Sequence, residues 1–395
     1  MPTRPLPQGE FIALVAMLFA TIAYSIDSML PSLPVIAQAL VPEDPNRAQL
    51  ILTTFIFGMG VGTLFSGPLS DRFGRRAIII GGGVIYSIGA IAAFAAPTLE
   101  MLLIARVVQG LGAAGPRVAA MALVRDLYSG REMARVMSFV MVVFTLVPAI
   151  APLLGSGIIA AFGWRAVFLS FVVFSAVSVG WMVLRQPETL PPSMRRSLQP
   201  SALWRAMVEV LANPTVRRSV MVQTLVYGCL FANLSASQQV FDISYGRGAS
   251  FPLWFALIAL VAASASILNA RIVVRVGMRR LVTIALLVQL LVSAAMAASL
   301  GLLPGSVAFY AYLVWCIGVF FMTGLTIGNL NAIAMEPMGH IAGMTASVTS
   351  ALSTVASVAL AAPVGLAFNG TPVPLMIGVA GFAGVGWLLM RQMPK

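Results

Sequence analysis

The sequence predicts an all-α membrane protein, with twelve transmembrane helices arranged as two pseudo-symmetric six-helix bundles. Three observations carry that prediction. Of the 395 residues 59% are hydrophobic and only 9% charged, with a mean hydropathy of +0.97. A soluble domain carries about a quarter charged residues, so the composition excludes one. Apolar blocks recur along the whole length, each able to cross a hydrocarbon core of about 30 Å. The two halves of the chain also echo each other at an offset near half its length.

Taken in order, the apolar blocks run over residues 10–32, 48–70, 75–97, 99–124, 133–161 and 165–185, then 217–241, 251–273, 280–301, 306–334, 342–368 and 373–391. Gly and Pro are frequent inside them, as helical membrane bundles tolerate. The first block follows Arg4 and is longer than the apolar core of a signal peptide, and "DSMLP" makes a poor cleavage site, so it is read as the first span. Between the sixth and seventh blocks lies the most polar internal stretch, rich in Pro and Arg. It divides the chain into an N-terminal bundle (1–185), a linker (186–216) with a short surface helix around 201–211, and a C-terminal bundle (217–395).

Charge fixes the expected topology. With both termini in the cytoplasm, only Arg47, Arg165 and Arg247 fall outside, while Arg106 and Arg117 lie within spans. The other nineteen of the 24 cations face inward, which is the positive-inside pattern. The net charge of +12 therefore faces membrane lipid and does not imply a nucleic-acid partner. Cys229 and Cys316 both sit in apolar blocks and imply no disulfide framework.

The duplication is visible in "GPLSDRFGRR" (67–76) and "ARIVVRVGMRR" (270–280), with Gly74 and Gly277 in register. "APLLG" (151–155) has its counterpart in "APVGL" (362–366). In the first loop Gly67 and Gly74 suit close packing and a tight turn. Asp71 suits a neighbouring helix N-terminus, and Arg72, Arg75 and Arg76 can pair with carboxylates or headgroups. Asp126 in "LVRDLY" is their expected partner. In the second copy Val274 replaces the aspartate, so a latch there would be weak.

Asp27, in "YSIDSMLPSLP", puts a carboxylate into an apolar helix, which is costly unless it is paired, solvated or able to take up a proton. Arg106 lies about 10 Å from the outer end of the fourth span at 1.5 Å per residue, a depth comparable to Asp27. The expectation is an Asp27–Arg106 pairing, direct or through water, serving proton coupling. Arg117, further along the same span, is expected to line the cavity or meet a carbonyl.

The "GPLSDRFGRR" loop matches the G-x-x-x-D-R-x-G-R-R signature, so the chain resembles the major facilitator superfamily over its whole length. In that family such a loop latches one conformation of an alternating-access transporter. "ARVVQGLGAAG" (105–115) resembles the family's fourth-helix motif. "LVPAIAPLLGSG" (146–157) resembles its fifth-helix antiporter motif, with Pro148, Pro152, Gly155 and Gly157 present but Ala151 where glycine is expected.

The first half, with "DSMLPSLP" and "VRDLY", looks like the Bcr/CflA-type drug transporters. The second half, with "YGCLFANLSASQQVFD" and "SFPLWFALIAL", looks like the branch holding bacterial copper importers and riboflavin importers. Copper members would carry Met-x-x-x-Met and His-x-x-x-Met; Asn233, Ser237, Val261 and Ala265 stand there instead. His340 and Met344 have metal-like spacing but are read as a loop histidine and its neighbour, so no metal and no cofactor is expected. Amides replace soft ligands: Asn233, Gln238 and Gln239 in the seventh span, Asn269 in the eighth, Asn329 and Asn331 in the tenth. With Tyr24, Tyr227 and Trp315 as stacking surfaces they suit a neutral planar ligand.

The resulting expectation is a secondary transporter in a bacterial inner membrane, a monomer that imports riboflavin. Proton-coupled drug efflux is the alternative and copper import the third. No P-loop and no clustered nucleophile and base point to an enzyme.

Overall fold

The computed structural model describes residues 6–195 and 200–393 and is helical almost throughout, with no strand among the described residues. Its α-helices are α1 (Gln8–Asp27), α2 (Leu33–Leu40), α3 (Leu50–Phe73), α4 (Arg75–Ala95), α5 (Leu99–Leu127), α6 (Gly130–Phe162) and α7 (Ala166–Arg185). They continue as α8 (Pro200–Ala212), α9 (Pro214–Gln239), α10 (Phe251–Val276), α11 (Met278–Ser299), α12 (Gly305–Met335), α13 (Ala342–Leu366) and α14 (Val373–Arg391). Eleven apolar segments are long enough to cross a membrane, and one of them, Gly305–Leu366, contains both α12 and α13. All twelve expected spans are therefore present. The short helix expected in the linker is α8.

The first span is broken. Pro31 has no N–H to offer the carbonyl of Asp27 four residues earlier, and α1 stops at that aspartate. A single 3₁₀ turn, Leu30–Ser32, leads into α2.

The chain forms two compact units. One comprises residues 1–41 and 54–200; the other comprises 42–53 and 201–395. In the first unit α4 and α5 approach closely because each lacks side chains at the contact. A Cβ on Gly82 would meet the Gly112 carbonyl, and one on Gly112 would meet the Tyr86 backbone. Small residues at a contact are how membrane helices bring their backbones together. Around α1 a buried core gathers Phe11, Leu14, Leu18, Leu123, Val136, Val140 and Met182. The start of α1 is tied to the end of α7, where Arg185 pairs with Glu10 at 2.8 Å and the Trp181 indole donates to the same carboxylate.

In the second unit α9 packs against α12, α13 and α14, and α11 against α12 and α14. A π turn, Val240–Ser244, extends α9. Phe241 from this turn meets Phe251, Phe309 and Tyr312 edge-on, with centroids 5.3–5.7 Å apart. The surface helix α8 is pinned to the turn before α13 by His340 Nε2 and Glu209 Oε1, 2.7 Å apart. His340 is thus a solvent-exposed partner of a carboxylate.

Candidate functional site

Two clusters in the first unit and one in the second hold the residues singled out by the sequence. The first surrounds the end of α1. Arg106 is wholly buried, and its guanidinium donates to Gln109 Oε1 at 2.7 Å and to the main-chain carbonyl of Ser25 at 3.2 Å. It also lies over the Phe55 ring, 4.3 Å from the centroid. Because α1 ends at Asp27, the Ser25 carbonyl lies in its last turn, where carbonyls lack an intrahelical donor. A cation there also meets the negative end of the helix dipole. Arg106 therefore caps α1.

Ser25 is held from a second side. Its hydroxyl donates to the Thr21 carbonyl at 2.6 Å, which leaves the closely approaching Tyr86 hydroxyl as donor to Ser25 Oγ. Neither Tyr86 nor Gln109 was singled out from the sequence. A tyrosine or glutamine in a span looks like packing until its azimuth is known.

Asp27 is 5% exposed, and its carboxylate makes no hydrogen bond or ion pair with any described residue. The direct form of the expected Asp27–Arg106 pairing is absent, because the guanidinium is taken up by Gln109 on its own helix and by the Ser25 carbonyl two residues before Asp27. α6 closes on the same turn: a Cβ on Gly155 would run into the Ser28 carbonyl. Gly157 has open space around it. Tyr24 turns away toward α7, where its hydroxyl donates to Ser170 Oγ at 2.9 Å and its ring stacks on Phe174. Buried in that way, it offers no free stacking surface.

The second cluster is the loop between α3 and α4. Gly74 has φ +98°, a left-handed conformation that glycine adopts without strain. It allows the reversal that brings Arg75 back over the end of α3. The Arg75 side chain, 4% exposed, reaches Asp71 at 2.5 Å, Asp126 at 2.9 Å and Ser70 Oγ at 3.1 Å. Arg76 instead donates to the carbonyls of Gln186 and Val183, and Arg72 is exposed. Gly67 lies within α3, half-buried.

Asp71 is not the residue at a helix N-terminus, contrary to expectation, because it is drawn into the Arg75 pair. Glu188 takes that place. Its carboxylate accepts from the main-chain N–H groups of Arg75 at 3.0 Å and Arg76 at 3.1 Å, capping α4. The adjacent Thr189 hydroxyl donates to Asp126 at 2.8 Å. The start of the linker thus joins this charged cluster, which sequence reading missed.

The third cluster is the amide set of the second unit, and most of it pairs internally. Asn329 donates to Asn269 Oδ1 at 2.7 Å, and Asn331 accepts from Gln223 at 3.1 Å. Gln239 donates to Asn46 Oδ1 at 2.6 Å and accepts from Gln49 at 2.5 Å. Gln49 also donates to the Gly365 carbonyl, and Asn46 to those of Leu366 and Phe368. This clasp of loop amides was not foreseen. Asn329, Asn331 and Gln239 therefore bridge helices, which satisfies buried amides in a membrane.

In this unit the buried amide atoms without a partner among the described residues are Oε1 of Gln49 and of Gln223, Nδ2 of Asn233 and Oε1 of Gln238. Asn233 Oδ1 accepts from the Cys316 thiol at 3.5 Å. Tyr227 stacks nearly parallel on Phe231, with centroids 5.5 Å apart. Trp315 is buried against Tyr312 and donates to Ser293.

Two repeated sets of apolar helices, with a charged cluster at a Gly-x-x-x-Asp-Arg-x-Gly-Arg-Arg loop, define a secondary transporter. The Major Facilitator Superfamily profile matches residues 12–362, and the chain belongs to that superfamily. It is 30% identical over 344 residues to a "Bicyclomycin resistance protein homolog" of Haemophilus influenzae, covering 86% of this chain and 84% of the relative. It is 28% identical to a "Chloramphenicol resistance protein" of Pseudomonas aeruginosa, covering 83% and 77%. Among solved structures, a D-xylose-proton symporter superposes with a TM-score of 0.80 over 98% of both chains at 14% identity, a likeness of fold alone.

Proposed function

We propose that the chain exports small lipophilic compounds across a bacterial inner membrane in exchange for protons, by alternating access with both termini in the cytoplasm. One observation carries this reading: Asp27, a buried carboxylate without a partner, sits at the break in the first span. A permanent charge there is costly, and binding a proton removes that cost. Arg106 and Tyr86 hold the turn while Gly155 lets α6 approach it, so Asp27 is the proton carrier and Arg106 positions it. The Arg75–Asp71–Asp126 cluster, capped by Glu188, is the conformational latch.

The drug-resistance names of the relatives support export over the riboflavin import expected from the second half. So does the pairing of Asn329, Asn331 and Gln239, which takes amides away from a ligand. Riboflavin import stands as the second reading, favoured by the unpartnered amide atoms of Asn233 and Gln238 near the Tyr227–Phe231 stack in sequence.

Expression in a drug-sensitive host lacking its main exporters tests the first reading. Resistance to bicyclomycin or chloramphenicol should rise, and a protonophore should restore drug accumulation. Unchanged susceptibility despite membrane expression would refute export of these compounds. Growth rescue of a riboflavin auxotroph at low external vitamin tests the second.

A further inference from the structure

Arg117 is the charged group that the coupling site leaves unexplained. It lies in α5, 18 residues from Leu99 and 10 from Leu127, hence about 27 Å and about 15 Å from the two helix ends at 1.5 Å per residue. That places a guanidinium well inside the span. Arg106, eleven residues earlier, is covered by a carbonyl, an amide and a ring. Arg117 is half-buried, and no described residue gives it a hydrogen bond, a carboxylate or an aromatic face.

Eleven residues are about three helical turns, so Arg117 projects within about 20° of Arg106 around the helix axis. Ionisable groups within membrane spans face the bundle interior or water, and mark substrate or ion paths. A guanidinium, unlike an ammonium, presents a planar fork that matches two oxygens of one group. We propose that Arg117 is a substrate-binding residue selecting compounds with a planar two-oxygen acceptor, a carboxylate above all. The class deepens the export reading and rests on it. It also reverses the charge preference that Asp27 alone would suggest.

The test is binding to the purified full-length transporter of a carboxylate-bearing fluorescent dye, its methyl ester and a cationic dye of similar size. The carboxylate should bind at least tenfold more tightly than the ester. Arg117→Gln should remove that difference while changing ester affinity less than threefold, and Arg117→Lys should retain only part of it. Equal affinity for carboxylate and ester in the unmodified protein would overturn the proposal. So would equal loss for both dyes in Arg117→Gln. Because binding is read directly, the result stands apart from the drug-export assay, whose failure would overturn the export reading alone.

Discussion

Arg106 holds the carbonyl of Ser25 at 3.2 Å, two residues before Asp27, and so grips the end of α1 without neutralising its carboxylate. Positioning and charge are thereby separated at one turn. A carboxylate freed from any fixed partner can change protonation without first breaking an ion pair.

Asp27→Asn should therefore abolish drug accumulation driven by an imposed pH gradient in inverted vesicles. Exchange of labelled for unlabelled drug should persist. Full gradient-driven accumulation in this variant would remove Asp27 from the coupling role.

Arg106→Lys keeps the charge but loses the fork that reaches both Gln109 and Ser25. Transport should fall at least tenfold with membrane expression retained. Tyr86→Phe removes the Ser25 hydrogen bond, worth about 1 kcal/mol, and should produce a smaller loss. A larger defect from Tyr86→Phe than from Arg106→Lys would contradict the capping assignment.

Gly155→Ala should impair transport strongly, because its methyl would strike the Ser28 backbone, which cannot rotate away. Gly157→Ala, with open space at the same helix, should be close to neutral. Comparable transport rates for the two variants in vesicles would disprove the contact.

Glu188→Gln weakens the cap on α4, at a cost of about 1 kcal/mol. Thermal unfolding in detergent should shift downward by a few degrees. Arg75→Ala should cost more, since it leaves Asp71 and Asp126 facing each other without their shared cation. Identical melting curves for all three proteins would show that the latch contributes no stability to this state.

The spans were legible because apolar length is set by the bilayer and survives any change of packing. The Gly74–Arg75–Asp71–Asp126 cluster was legible because a local motif contains most of it. Glu188 was not, being a single glutamate in a polar linker 113 residues away in sequence from the Arg75 N–H that it caps. The direct form of the Asp27–Arg106 pairing is absent for a different reason. Depth along a helix follows from counting residues, but the target of a guanidinium depends on azimuth and on which carbonyls a helix break exposes. The amides of Asn329, Asn331 and Gln239 were recognised as buried polar groups, yet composition alone does not say whether two amides meet each other or a ligand.

The Glu188 cap also orders events during synthesis. The first turn of α4 leaves the ribosome long before the carboxylate that completes it, which follows 113 residues later. At translation rates of about 5–20 residues per second, that interval is roughly 6–23 s. Throughout it the third membrane span waits with its leading N–H groups uncapped, and the latch lacks its closing residue. The N-terminal bundle thus reaches its finished state only when the chain has passed the sixth span, so a nascent protein stalled before residue 188 would be inserted with the start of α4 uncapped.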